Sequence, residues 1–192
     1  MIAGMAWWIL SLQAAPDPAV LVEAAVKAAG GKEKLLSTFR LKERIALGSD
    51  LEAKGSERTS VLQFPGHWFL GKRNRVTEDN EPAVKLAWVW TLRALLDPDA
   101  KLEGLPGKDG LVGLRIRGSI EPPMDVWFDA QQKLLSAIEW RKDRHVFSEY
   151  KELDGLRYAS RVVGHKADGK VWYHTRVLEF ERLKEIPADL PR

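Results

Sequence analysis

Apolar positions recur along this chain with two different periods, and the change between them falls early. Asp17-Pro18 sets a side-chain acceptor and a proline where a helix begins, and Gly30-Gly31 ends the segment. Residues 19–29 between them are strong helix formers, with Glu23 and Lys27 one turn apart. Another short helical turn is expected at residues 32–36. From Phe39 the period becomes two: Phe39, Leu41, Ile45 and Leu47 alternate with Arg40, Lys42 and Arg44, and only Glu43 interrupts the apolar side. That pattern is a half-buried strand, and its four apolar residues form the cleanest inward row in the sequence.

Similar strand patterns follow at residues 56–64, 67–77, 111–120, 125–129, 134–141, 144–153, 156–166 and 171–183. Asp154-Gly155 and Asp168-Gly169 are hairpin signals, because both residue types tolerate positive φ. A two-residue turn at Asp168-Gly169 sets Lys166 opposite Val171 and His165 opposite Trp172; the other turn sets Glu152 opposite Arg157. Connections this short make the neighbouring strands antiparallel. With no repeat, linker or composition break, residues 16–192 read as a single domain.

Residues 81–96 stand apart. Asn80-Glu81-Pro82 is a helix start and Asp97-Pro98 a stop, and between them only Lys85, Thr91 and Arg93 are polar. A helix apolar around most of its circumference must be covered on most sides. Leu86, Trp88, Trp90 and Leu92 also alternate as a strand would, but the end signals favour helix. A curved antiparallel sheet wrapped around that helix satisfies both patterns. The expected fold is therefore α+β: an open antiparallel half-barrel with helices packed on its concave side.

Residues 1–15 carry no charged side chain and end in small residues before Pro16-Asp17-Pro18. This is the outline of a secretory signal peptide with cleavage after Ala15. The apolar run is too short for a bilayer, which takes roughly 20 residues. A short buried helix is the alternative.

Composition narrows the function. Of 192 residues 45% are hydrophobic and 30% charged, yet 30 basic and 27 acidic side chains leave a net charge of only +3. Such a balance argues against a nucleic-acid binder, which concentrates positive charge on one face. The absence of cysteine excludes disulfides, thiolate catalysis and Cys-ligated metals. The four histidines, His67, His145, His165 and His174, have no metalloprotease spacing; His165 and His174 fall diagonally on one sheet face and could begin a metal site, but no third ligand is apparent and they read as surface strand residues. No nucleophile elbow or phosphate loop is present, and Gly104-Leu105-Pro106-Gly107 reads as a loop. No enzyme activity, metal or cofactor is expected. Lys72-Arg73-Asn74-Arg75 and 115–117 read as polar sides of strands. Trp68, Trp88, Trp90, Trp127, Trp140 and Trp172, six of the eight tryptophans, are the more informative set, suited either to a rigid core or to the lining of an apolar cavity.

Residues 22–41, with their helix, Gly30-Gly31, short helix and outgoing strand, resemble the opening of LolA-like, outer-membrane lipoprotein-sorting-type bacterial proteins. Val126-Trp127-Phe128-Asp129, Leu134-Leu135, residues 147–157, Asp168-Gly169-Lys170 and the final Ile186-Pro187-Ala188-Asp189-Leu190 are similar to that family's closing hairpins. The likeness is to the functionally unassigned branch more than to the dedicated carriers. It implies an exported, periplasmic protein with an incomplete β-barrel, helices across its open side, and a lipid or lipoprotein acyl chain as ligand. A membrane-associated protein partner, no nucleic acid and a monomeric state go with that reading. The expected lining is Trp88, Leu92 and Leu95 from the helix, spaced four and three apart, with Phe39, Leu41, Ile45 and Leu47 from the first strand. Trp90 points to another side of the helix and is expected to face the lid. The rival expectation is an interaction or sensor module whose interior is packed shut.

Overall fold

Asp17 starts the first helix as its position predicts. Its Oδ1 accepts the backbone N–H of Ala19 at 2.8 Å and of Val20 at 3.3 Å, capping α1 (Pro18–Ala28). The computed structural model describes residues 14–76 and 81–191, so the signal peptide read at residues 1–15 lies almost wholly outside the described residues. Leu21, Val22, Ala25 and Val26 form the buried stripe of α1. A 3-10 turn at Lys32–Lys34 leads into β1 (Thr38–Leu47).

Hairpins then lay down β2 (Ser56–Gln63), β3 (His67–Leu70) and β4 (Arg73–Asn74). The strand expected over residues 67–77 is thus two short ones, split at Gly71, whose φ of 58° turns the chain. After α2 (Glu81–Trp90) come β5 (Lys101–Lys108), β6 (Leu111–Arg117), β7 (Met124–Asp129), β8 (Leu135–Trp140), β9 (Asp143–Leu153), β10 (Leu156–His165) and β11 (Val171–Arg182). β5 corrects the loop expected at residues 104–107. Lys101 to Leu105 pair with Arg117 to Gly113, and the register shifts before Lys108, where Pro106 and Gly107 sit. An edge strand tolerates proline because one side of its backbone is free.

Among the described residues all the strands form one 11-stranded antiparallel sheet, ordered β4-β3-β2-β1-β11-β10-β9-β8-β7-β6-β5. The sheet is an open, curved half-barrel. The chain leaves it at one edge, β4, and re-enters at the other, β5, so the connection carrying α2 crosses the concave face. α1 packs on that face too, where the main core joins Leu21 and Ala25 to Phe39, Leu62, Trp88, Leu114, Val126 and Ile138. The convex face carries two small clusters: Val61 and Phe69 under Leu190 of the C-terminal tail, and Leu105, Trp127 and Ala137.

The Asp154-Gly155 turn forms as read, with φ of 50° and 77° and with Arg157 opposite Glu152. The other turn differs. Lys166 N–H donates to Lys170 O at 2.9 Å and Gly169 N–H to Lys166 O at 2.8 Å, which lengthens the loop. A register shift at Gly164/His165 then sets His165 opposite Val171, not Trp172.

Candidate functional site

β1 supplies the wall expected to meet a ligand, but its burial changes along its length. Phe39 is wholly buried, 6.2 Å from the Trp90 ring and 6.4 Å from Phe64. Leu41 is buried, Ile45 half-buried, and Leu47 is 75% exposed. All four share a face, because each sits opposite the concave-side residues of β11 from Arg182 to Tyr173. The strand simply runs out from under the helices, and Leu47 lies at an uncovered end. Leu47 is therefore no part of an inward row.

Trp88, Leu92 and Leu95 are all buried, but not on one helical face as expected. α2 ends at Trp90, Leu92 takes a left-handed φ of 59°, and a 3-10 turn at Arg93–Leu96 follows. Trp90 corrects a second expectation. It faces the sheet rather than a lid, donating Nε1–H to Ala159 O at 3.0 Å and packing edge-on against Tyr158. Arg93 then ties this connection to the α1–β1 segment, donating to Leu35 O at 3.0 Å and Leu36 O at 3.4 Å.

Between these pieces lies a void of about 20 Å3 lined by Ala25, Ala29, Leu35, Trp90, Tyr150 and Ala159. That is room for about one water molecule. Among the described residues the tryptophans of α2 fill the space between helix and sheet here, and this void falls far short of the several hundred Å3 usual for an acyl-chain cavity.

The concave wall also carries a polar band that the strand patterns did not announce. Glu43, seen in the sequence only as a break in an apolar row, is buried and accepts from Arg58 Nε at 2.9 Å. The Arg58 guanidinium lies 5.3 Å from the centre of the Trp68 ring. Ser60 and Trp68 are buried, and neither Ser60 Oγ nor Trp68 Nε1 has a hydrogen-bond partner. Further along, His145 Nδ1 is 2.8 Å from Tyr173 Oη. His145 is only 3% exposed, and burial lowers the pKa of its imidazole to about 4. Burial likewise pushes the Tyr173 phenol up, reinforced by the Glu43 and Asp143 carboxylates. The signal for Ser60 was its parity with Leu62 on the inward side of β2; for Tyr173 it was Gly164, two strand positions from any turn.

The convex side bears a shallow groove of about 810 Å3 lined mainly by ion pairs. Arg115 grips Asp125 with two bonds of 2.6 and 2.7 Å, Glu139 accepts from Arg144 and Lys108, and Lys166 pairs with Asp143. The remaining histidines have ordinary partners: His165 faces Gly169 O, His174 faces Asp50 O, and His67 stacks on Phe69. Among the described residues no three metal-ligating side chains converge, and no helix is long and apolar enough to cross a membrane.

No family model and no curated protein sequence matches the chain. Its fold does match solved structures. It is similar to a domain described as an outer-membrane lipoprotein-sorting protein from Vibrio parahaemolyticus, with a TM-score of 0.54 and 11% identity. It is similar to a LolA superfamily protein from Nitrosomonas europaea, with a TM-score of 0.53 and 10% identity. A DUF1329 family protein from Desulfovibrio piger gives 0.52 and 11%. Each match covers 90% of this chain and 96% of the other. The chain thus has the LolA-like fold, and the resemblance seen in its hairpins holds at the level of three-dimensional architecture.

Proposed function

We propose that this is an exported, periplasmic, non-enzymatic binding protein that takes an apolar ligand, a lipid or lipoprotein acyl chain, between α2 and the concave sheet. The observation that carries this reading is how the concave face is covered. The sheet is knit by backbone ladders, whereas α2 lies on it through apolar side chains and a few polar ties: Trp90 to Ala159, Lys85 to Ser119 O, and Glu81 to Arg141. Those contacts are of the kind an acyl chain can replace, because burial of apolar surface is non-directional. Lifting α2 and the Arg93–Leu96 turn would expose Phe39 and Leu41 on one wall and Trp88, Leu92 and Leu95 on the other, with Ile45 at the mouth. The lipoprotein-sorting description of one structural neighbour supports the choice of ligand class. A monomer that hands its ligand to a membrane-associated protein fits this arrangement.

A second reading, an interaction or sensor module with a permanently filled interior, is favoured by the void of about 20 Å3. One experiment separates the two. Protein purified from the envelope fraction is extracted with organic solvent and the extract analysed by mass spectrometry, and the stripped protein is titrated with a fluorescent acyl probe. Near-stoichiometric lipid or saturable probe binding supports the carrier. Neither, in a folded protein, establishes the module.

A further inference from the structure

Ser60 and Trp68 are diagonal neighbours on the concave wall. Ser60 lies opposite Leu41 and Leu70, and Leu62 lies opposite Trp68, so all of them share the face turned to the helices. The two residues are 1% and 6% exposed, and Ser60 Oγ and Trp68 Nε1 are both without partners. A buried N–H or O–H with no acceptor is destabilising, and native proteins leave few of them. Two such groups in diagonal register, flanked by Leu41, Leu62 and Leu70 and by the Arg58–Glu43 pair, form an unfilled pair of hydrogen-bond donors.

Resting on the proposed acyl-chain reading, we infer that Trp68 Nε1–H and Ser60 Oγ–H receive the carbonyl oxygen of an acyl ester or amide when the ligand displaces α2. The charge of the band selects this chemistry. Arg58, the cation over the Trp68 ring, is already engaged by Glu43, whose side chain is 10% exposed. The pair is therefore neutral overall, and an incoming carboxylate or phosphate would be set against the Glu43 carboxylate. A bare hydrocarbon would leave both donors unsatisfied. A neutral carbonyl at the head of an acyl chain satisfies them, and the chain beyond it would run along Leu41 and Phe39.

The test is competition against diphenylhexatriene, a hydrocarbon fluorophore with no hydrogen-bonding group, using methyl palmitate, palmitamide, palmitate and hexadecane as competitors. Wild type should prefer the ester and the amide over hexadecane by about tenfold, the scale of one or two buried hydrogen bonds. Which of the two competes better identifies the linkage. In Trp68→Phe and Ser60→Ala, singly and together, that preference, taken as the ratio to hexadecane within each variant, should fall toward one. Because the deleted hydroxyl has no partner in the closed state, Ser60→Ala should not lower the melting temperature, whereas Trp68→Phe also shrinks a buried ring and is judged on the preference alone. No preference in wild type, a preference for palmitate, or a preference that survives in the double variant would overturn the inference while the carrier reading stands. Failure of diphenylhexatriene itself to bind would remove the carrier reading and this inference with it.

Discussion

Tyr173 lies across the bare backbone of Gly164, where an added Cβ would stand 2.0 Å from the Tyr173 ring carbon Cε1. That absence of a side chain on β10 lets the phenol reach over one strand to His145 on β9. Gly164→Ala should therefore displace the ring, break the contact and lower stability by about 1–3 kcal/mol, the cost of overpacking a filled site. Urea unfolding of the variant checks the magnitude. Wild-type stability would mean that Tyr173 can be accommodated elsewhere at no cost.

His145 gives the protein an acid-sensitive point. Burial lowers its pKa from 6.5 to about 4, Lys166 and His165 act in the same direction, and Asp143 opposes them. At pH 7.5 the imidazole is neutral both folded and unfolded, so it carries no penalty. As pH falls from 6.5 toward 4 the unfolded chain takes up a proton that the folded one refuses. Stability then drops, levelling off below about pH 4, with a total of about 3 kcal/mol. Comparing wild type with His145→Gln by urea melts at pH 7.5 and 4.5 isolates this contribution, because other titrating groups are common to both proteins. Parallel losses in the two proteins would contradict it.

Depth under the helices separates residues that the sequence pattern groups together. Trp88→Ala should cost about 3–5 kcal/mol and Leu41→Ala about 2–5 kcal/mol, since both side chains are buried in the closed state. Leu47→Ala should stay within about 0.5 kcal/mol, as expected for a side chain 75% exposed. If Leu41→Ala also lowers the lipid co-purifying with the protein, that residue lines the site as well as the core.

Trp90→Phe keeps an aromatic ring beside Phe39 and Tyr158 but removes the hydrogen bond to Ala159 O. A loss of about 1 kcal/mol is expected. Because this bond anchors the end of α2, uptake of an acyl probe should become faster in stopped-flow mixing. Slower uptake would mean that α2 does not move when ligand enters.

What could be read from the sequence was what local chemistry dictates. Asp17-Pro18 and Gly30-Gly31 bracket α1 by capping alone, and Asp154-Gly155 turns β9 into β10 because both residues accept positive φ. β5 was hidden because Gly104, Pro106 and Gly107 look like a loop, and only an edge position makes them acceptable in a strand. Alternation placed Phe39 through Leu47 on one face, but no pattern in β1 says how far α1 and α2 extend over it. The same holds for Leu92: nothing beside it announces a left-handed φ, so the helix seemed to continue and Trp90 seemed to point away from the sheet. The polar band escaped notice because Glu43, Arg58, Ser60 and Trp68 come from three strands, and only the register of the sheet brings them together.

The strand order has a consequence for how the molecule is made. Every pairing joins strands consecutive in the chain except the one between β1 and β11, where Arg40 and Glu181 form an ion pair across 141 residues of sequence. A ribosome that has finished β10 has therefore produced two separate blankets of hairpins, β1–β4 and β5–β10, linked by the stretch containing α2. The border strands of both, β1 and β10, are still bare and open to association with other chains. β11 is the zip between them, and the last strand synthesised turns two halves into one wall.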